Sequence, residues 1–279
     1  MKKVIYYFSG TGNSMRAASR IATALKDTEI ISMRCDPSDV PALDADMIGF
    51  VFPVYHWTMP ETAVRFVKAL KINQKAYIFS VSTPGFINGH SFEVLDGILK
   101  NKGAQLSYCN ILYSVANLVT VYPPMPFPKH RVRTAEQKLA LIASDISNRK
   151  KRKYPKAFIL TNLLYPYLMP KYIRNLHNAD MGFIITDKCI SCGTCAKVCP
   201  CKNIVMENGR PTFKHQCNFC MSCVSYCPKG AFEYTVNPEM KKKCDYFLIK
   251  FLKLPEKRKR YHNPFITASD IAADKRYIK

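Results

Sequence analysis

Eight of the twelve cysteines in this chain of 279 residues fall into two runs, "CISCGTCAKVCP" (Cys189, Cys192, Cys195, Cys199) and "CNFCMSCVSYCP" (Cys217, Cys220, Cys223, Cys227). Each reads C-x2-C-x2-C-x3-C-P, and each cysteine of the second run lies 28 residues after its counterpart, as 217 does after 189. Three thiolates so spaced can wrap three corners of a [4Fe-4S] cubane from one tight loop, leaving one iron to be reached from elsewhere. The fourth cysteine faces away and is expected to open a helical segment on the far side of the loop. Zinc fits less well, since it usually takes two paired knuckles and four ligands. A disulfide framework is disfavoured because the opening "MKKVIYYFSGTGNS" lacks the order of an export signal, and cytoplasmic reductants keep thiols open for metal.

Over about Phe183 to Val236 the chain resembles the bacterial two-cluster ferredoxins. The resemblance implies that one cluster takes Cys189, Cys192, Cys195 and Cys227, while a second takes Cys217, Cys220, Cys223 and Cys199. Cys201 stands one proline beyond Cys199 and is out of register, so it is expected to be a bystander. Cys35, Cys109 and Cys244 stand alone, as small buried hydrophobes do. Gly193 and Gly230 suit tight turns around sulfur, and "IVMENGRPTF" between the runs reads as a hairpin turning at Asn208 and Gly209.

A second constellation lies near the start, where "SGTGNS" (Ser9, Gly10, Thr11, Gly12, Asn13, Ser14) follows an apolar run and precedes a helical pattern. Backbone N–H groups at such a helix start hold an anion, and the side chains of Ser9, Thr11, Asn13 and Ser14 add neutral donors. Gly12 is expected to permit close approach of the backbone to a phosphate. The loop lacks the G-K-[ST] of a P-loop, and Met15 stands where a dinucleotide fingerprint requires its third glycine. It resembles instead the flavodoxin phosphate loop, [ST]-x-T-G-x-[ST], which implies FMN.

The elements that must position these residues follow an α/β order. Strand-like "EIISM", "DMIGFVFPVY", "KAYIFSVS" and "QLSYCNILYSV" alternate with helical "ETAVRFVKAL", "SFEVLDGILKNKG" and "RTAEQKLALIASDISN". This predicts a doubly wound parallel sheet with ligands beyond the carboxyl ends of its strands. The resemblance to flavodoxins makes it five-stranded and places two loops beside the flavin ring. The first supplies Pro53, Tyr55, His56 and Trp57, with Tyr55, His56 or Trp57 stacking on the ring, and the second supplies Ser82, Thr83, Pro84 and Gly85.

The expected organisation is a flavodoxin-like domain over 1–150, a basic helical connector over 151–181, a small α+β ferredoxin domain over 182–236 and a basic amphipathic tail over 237–279. The formal net charge is +22 and concentrates in "RKKRK", "KKK" and "EKRKRYH". No nucleic-acid motif accompanies these runs, so they predict a solvated face or the steering of an acidic redox partner protein. The tail pattern "PEMKKKCDYFLIKFLKLP" suits docking on the chain itself, with contact to a membrane surface as the lesser alternative. Together the parts resemble the flavodoxin-ferredoxin fusion proteins common in anaerobes. That resemblance implies a cytoplasmic electron carrier holding FMN and two [4Fe-4S] clusters, the alternative being an FMN-dependent reductase of a quinone, nitro compound or enone.

Overall fold

The computed structural model describes residues 1–40, 43–117, 127–157, 159–234 and 260–278. Five strands, β1 (Lys3–Tyr7), β2 (Thr28–Ser32), β3 (Met47–Phe52), β4 (Tyr77–Ser82) and β5 (Leu106–Ile111), run parallel in the order β2-β1-β3-β4-β5. Helices cover both faces, so every residue of β3 and β4 is buried and the strands read as continuous apolar runs. On one face, α1 (Asn13–Leu25) and α4 (Pro128–Ser147) pack Met15, Ala18, Ile21, Leu139 and Ile142 against the sheet. On the other, α2 (Glu61–Ala69) and α3 (Ser91–Asn101) contribute Ala63, Phe66, Val67, Phe92 and Leu95. This order reverses direction between β1 and β3, and a flavodoxin-like sheet binds ligands beyond the carboxyl ends of its strands at that switch.

The connector begins inside the first domain. Arg152 donates its N–H to the Ser107 carbonyl (3.0 Å) and accepts from the Cys109 N–H (3.0 Å), while Tyr154 packs on the core and bonds Asp96 Oδ2 at 2.9 Å. It continues as α5 (Ile159–Leu176), which carries Pro166 and Pro170 within it.

The second domain is a small α+β unit. β6 (Phe183–Ile185) pairs with β9 (Phe232–Tyr234), and β7 (Ile204–Glu207) with β8 (Arg210–Phe213). The β7–β8 turn is the expected one, with positive φ at both Asn208 and Gly209, as a type I′ hairpin requires. Two five-residue helices, α6 (Thr194–Val198) and α7 (Ser222–Tyr226), occupy equivalent places in the two cysteine runs.

Residues 260–278 do not form a separate tail. They fold back as α8 (Ala268–Ala272) and β10 (Lys275–Ile278), and β10 adds an antiparallel sixth strand to the β2 edge. Ile266 and Ile271 are buried in the same cluster as Ile5, Tyr7 and Met15 of the first domain and Val198 and Tyr226 of the second. The amphipathic pattern over 238–255 lies outside the described residues. No helix among the described residues is long and apolar enough to cross a membrane.

Candidate functional site

At the carboxyl ends of β1, β3, β4 and β5 lies an open cavity of about 580 Å³. Ser9, Gly10, Thr11, Asn13 and Ser14 form one wall, and Pro53, Tyr55, His56, Trp57, Thr83 and Gly85 line it from the two loops expected to do so. α1 begins at Asn13, so the N–H groups of its first turn have no partner within the helix. The hydroxyls of Ser14 and Thr83 meet at 2.7 Å, and the Asn117 amide donates to Thr11 Oγ1. Among the described lining residues none is Asp, Glu, Lys or Arg. Neutral donors at a helix start beside an apolar, aromatic chamber fit a flavin nucleotide, whose phosphate and ring need these two environments.

Three expected residues stand elsewhere. Ser82 is buried and does not line the cavity, its hydroxyl donating to Asn88 Oδ1 at 2.5 Å, and the Pro84 carbonyl accepts the Ser114 N–H at 2.9 Å. Gly12 does not line the cavity. Its φ of 93° favours glycine, and a side-chain carbon there would press on Ile266 and Tyr226 at 2.9 Å and Asn263 at 3.0 Å. The backbone conformation and packing from behind the loop both demand that glycine. Gly10 is the glycine of this loop at the cavity, where an added carbon would lie 2.3 Å from the Cys220 carbonyl oxygen.

His56 and Trp57 form the corner of a two-residue turn in which Tyr55 and Thr58 exchange backbone hydrogen bonds at 3.0 Å. Both corner residues have positive φ, 47° and 65°, a conformation costing non-glycine residues energy that the surroundings must repay. The Trp57 carbonyl accepts from the His90 N–H at 2.7 Å, and Gly89 lies so close that a side-chain carbon would fall 2.2 Å from that oxygen. The turn thereby holds three side chains at the cavity. Burial pushes His56 down to about 4, so its imidazole is neutral at pH 7.

The cysteines gather around two smaller voids. Cys189, Cys192, Cys195 and Cys227 line one, and Cys199, Cys217, Cys220 and Cys223 line the other, together with Cys201. These are the two crossed sets that the ferredoxin resemblance implies. Backbone geometry repeats with the sequence: Ser191 and Phe219 have φ of 56° and 52°, and Gly193 and Met221 have 68° and 62°. The fourth cysteines close helices rather than open them, since Cys199 and Cys227 are the extended residues ending α6 and α7. The proline after each disfavours helical backbone at the cysteine, and this turns the thiol toward the opposite void.

Backbone N–H groups already point at sulfur, from Asn203 to Cys199 (3.3 Å), Phe219 to Cys217 (3.2 Å) and Ala231 to Cys227 (3.3 Å). Burial pushes Cys217, Cys220 and Cys223 well above the ordinary thiol range, so loading a metal there must expel protons. Among the described residues no three Cys, His, Asp or Glu side chains converge as they would on one ion. Soft donors spaced around a void, with N–H groups aimed at them, fit an iron-sulfur cluster.

Sequence reading missed two parts of the cavity. Val115, Ala116 and Asn117 enter from the loop after β5, which the strand-end rule alone could have indicated. Phe219, Cys220 and Met221 come from the second domain and close another side, for which no local signal exists. Cys220 and Met221 line both this cavity and a cysteine-lined void. The domains are held in this relation by the Asn218 amide donating to Thr62, by Arg34 donating to the Lys197 carbonyl (2.7 Å) and by His177 with Glu61 (2.6 Å).

Residues 188–232 match the family described as 4Fe-4S dicluster domain. No curated protein matches the chain. Solved structures similar to it include rubredoxin oxygen:oxidoreductase from the anaerobe Desulfovibrio gigas, at 17% identity over 53% of this chain and 35% of that one, with a TM-score of 0.39. The two-electron reduced flavodoxin of Megasphaera elsdenii is 21% identical over 39% of this chain and 83% of that one (TM-score 0.34). An FMN-dependent NADH-azoreductase from Bacillus anthracis is 10% identical over 53% of this chain and all of that one (TM-score 0.36). The chain therefore joins a doubly wound domain with the flavodoxin-like strand order β2-β1-β3-β4-β5 to a small domain that carries the 4Fe-4S dicluster match.

Proposed function

We propose that this protein is an electron carrier that holds FMN in the large cavity and a [4Fe-4S] cluster in each cysteine-lined void, and that it exchanges low-potential electrons with an acidic redox partner protein. One observation supports this most directly: Cys220 forms part of the wall between the large cavity and the void lined by Cys199, Cys217 and Cys223. A flavin takes up one or two electrons and each cluster one, so the pair can store and divide charge. The protein holds the phosphate with the first turn of α1, screens the ring with Tyr55 and Trp57, and keeps His56 neutral beside it. The set Cys189, Cys192, Cys195 and Cys227 stands farther along the chain of sites, and its Cys192 is exposed. That exposure suits exchange with a partner, whose acidic surface the +22 charge would attract.

Anaerobic purification with iron, sulfide and flavin quantification, followed by a redox titration watched by EPR, tests the reading. One FMN and two cubanes' worth of iron and sulfide per chain are expected, and a flavin-free or single-cluster protein would refute it. Phe86 and Ile87 line the cavity and are exposed, 60% and 48%, which favours a reductase of a small apolar acceptor as the second reading. Steady turnover of a quinone, nitro compound or enone with reduced ferredoxin, and no partner protein, would select it.

A further inference from the structure

The phosphate-binding loop is braced from outside its own domain. Tyr261 donates its hydroxyl to Asn13 Oδ1 at 3.1 Å, and the Asn263 amide donates to the same oxygen at 3.2 Å. The Asn263 N–H donates to the Thr11 carbonyl at 2.8 Å. Asn13 in turn donates from Nδ2 to the Val115 carbonyl at 3.2 Å, so its side chain ties the loop to the tail and to the loop after β5. On the far side, Arg260 donates to the carbonyls of Gly230 and Phe232, both at 2.6 Å, in the second domain. Four residues, Arg260 to Asn263, thus span from the ferredoxin-type domain to the phosphate loop, and β10 anchors the other end on β2.

We infer that residues 260–278 are a strap that sets the phosphate loop in its binding conformation, with Tyr261 and Asn263 as positioning residues for the phosphate of the bound nucleotide. This rests on the FMN reading above. An unbraced loop rich in glycine and small residues samples many backbone conformations, and ordering it would be charged against binding. The strap makes that ordering part of folding instead. Asn263 is itself buried, at 5% exposure, and the Phe265 N–H holds its Oδ1 at 3.1 Å, which fixes the donor end toward Asn13.

The test compares FMN with riboflavin, which lacks the phosphate, on full-length protein stripped of flavin. Fluorescence titration would be run on wild type, Tyr261→Phe, Asn263→Ala and the control Tyr154→Phe, whose hydroxyl bonds Asp96 outside the strap and away from the loop. Tyr261→Phe removes one oxygen and keeps the ring, so it remains informative even if Asn263→Ala disturbs the local chain. Losing one or two part-buried hydrogen bonds to the loop is expected to weaken FMN about tenfold. Riboflavin affinity, iron content and the control should be unchanged. FMN affinity equal to wild type in both strap variants overturns the inference, and so does an equal loss for both flavins, which would indicate general loosening. A wild-type chain that binds neither flavin overturns the FMN reading itself, and this arm separates the two failures.

Discussion

Cys199 and Cys201 show how two thiols separated by one proline divide their work. Cys199 ends α6 in extended backbone, accepts the Asn203 N–H at 3.3 Å and faces the void lined by Cys217, Cys220 and Cys223. Cys201 lies beside the same void, where its S–H donates to Cys199 and lowers that thiol, while its sulfur sits 3.6 Å from the Thr62 hydroxyl. It is a hydrogen-bonded neighbour of a candidate ligand and, being out of register, is not itself expected to hold iron. Cys199→Ser is expected to cost about half the iron by removing a soft ligand, and Cys201→Ser to leave the iron count unchanged. Iron analysis and EPR read both, and the double variant excludes rescue by Cys201. Two intact cubanes in Cys199→Ser with Cys201→Ser would mean the assignment is wrong.

The element that matters most to coupling is the turn from β1 into α1, because it serves the cavity on one side and carries the second domain on the other. Gly10 meets the Cys220 carbonyl and the Tyr55 hydroxyl so closely that a side-chain carbon would stand 2.3 and 2.8 Å from them. Backbone cannot yield as a flexible side chain does, so Gly10→Ala should push the cysteine loop from the cavity at a cost of roughly 1–3 kcal/mol. Flash-photolysis or stopped-flow measurement should then show slower electron exchange between flavin and clusters, with iron and FMN content kept near wild type. An unchanged rate would show that the two domains are not coupled through this contact. A glycine pattern shows that Gly10 and Gly12 are present but not what each missing side chain faces, Cys220 at Gly10 and Ile266 at Gly12.

At the scale of the molecule, the flavodoxin-like domain is completed by residues more than 100 positions beyond its last helix. Cutting the chain after Met181 would strip β10 from β2 and remove Ile266 and Ile271, each worth about 1.5–3 kcal/mol when buried. The truncated domain should therefore melt roughly 10 °C or more below the full chain. Calorimetry on both would decide, with equal melting temperatures counting against a structural role for the strap. The sequence by itself determined the parts whose signals are local. Cysteine spacing singled out the two runs that surround the voids, apolar periodicity singled out five strands and the helices between them, and "SGTGNS" between β1 and α1 singled out a loop that walls the large cavity. Those signals are complete because each set of ligands, turn residues or buried faces lies within a few tens of residues. Only the tertiary structure decided that Cys220 walls the large cavity, that Asn13 is held by Tyr261 and Asn263, and that the last strand belongs to the first sheet. These depend on contacts between segments up to about 250 residues apart, and the burial that rewards such contacts is a property of two assembled surfaces, which neither segment carries in its own pattern.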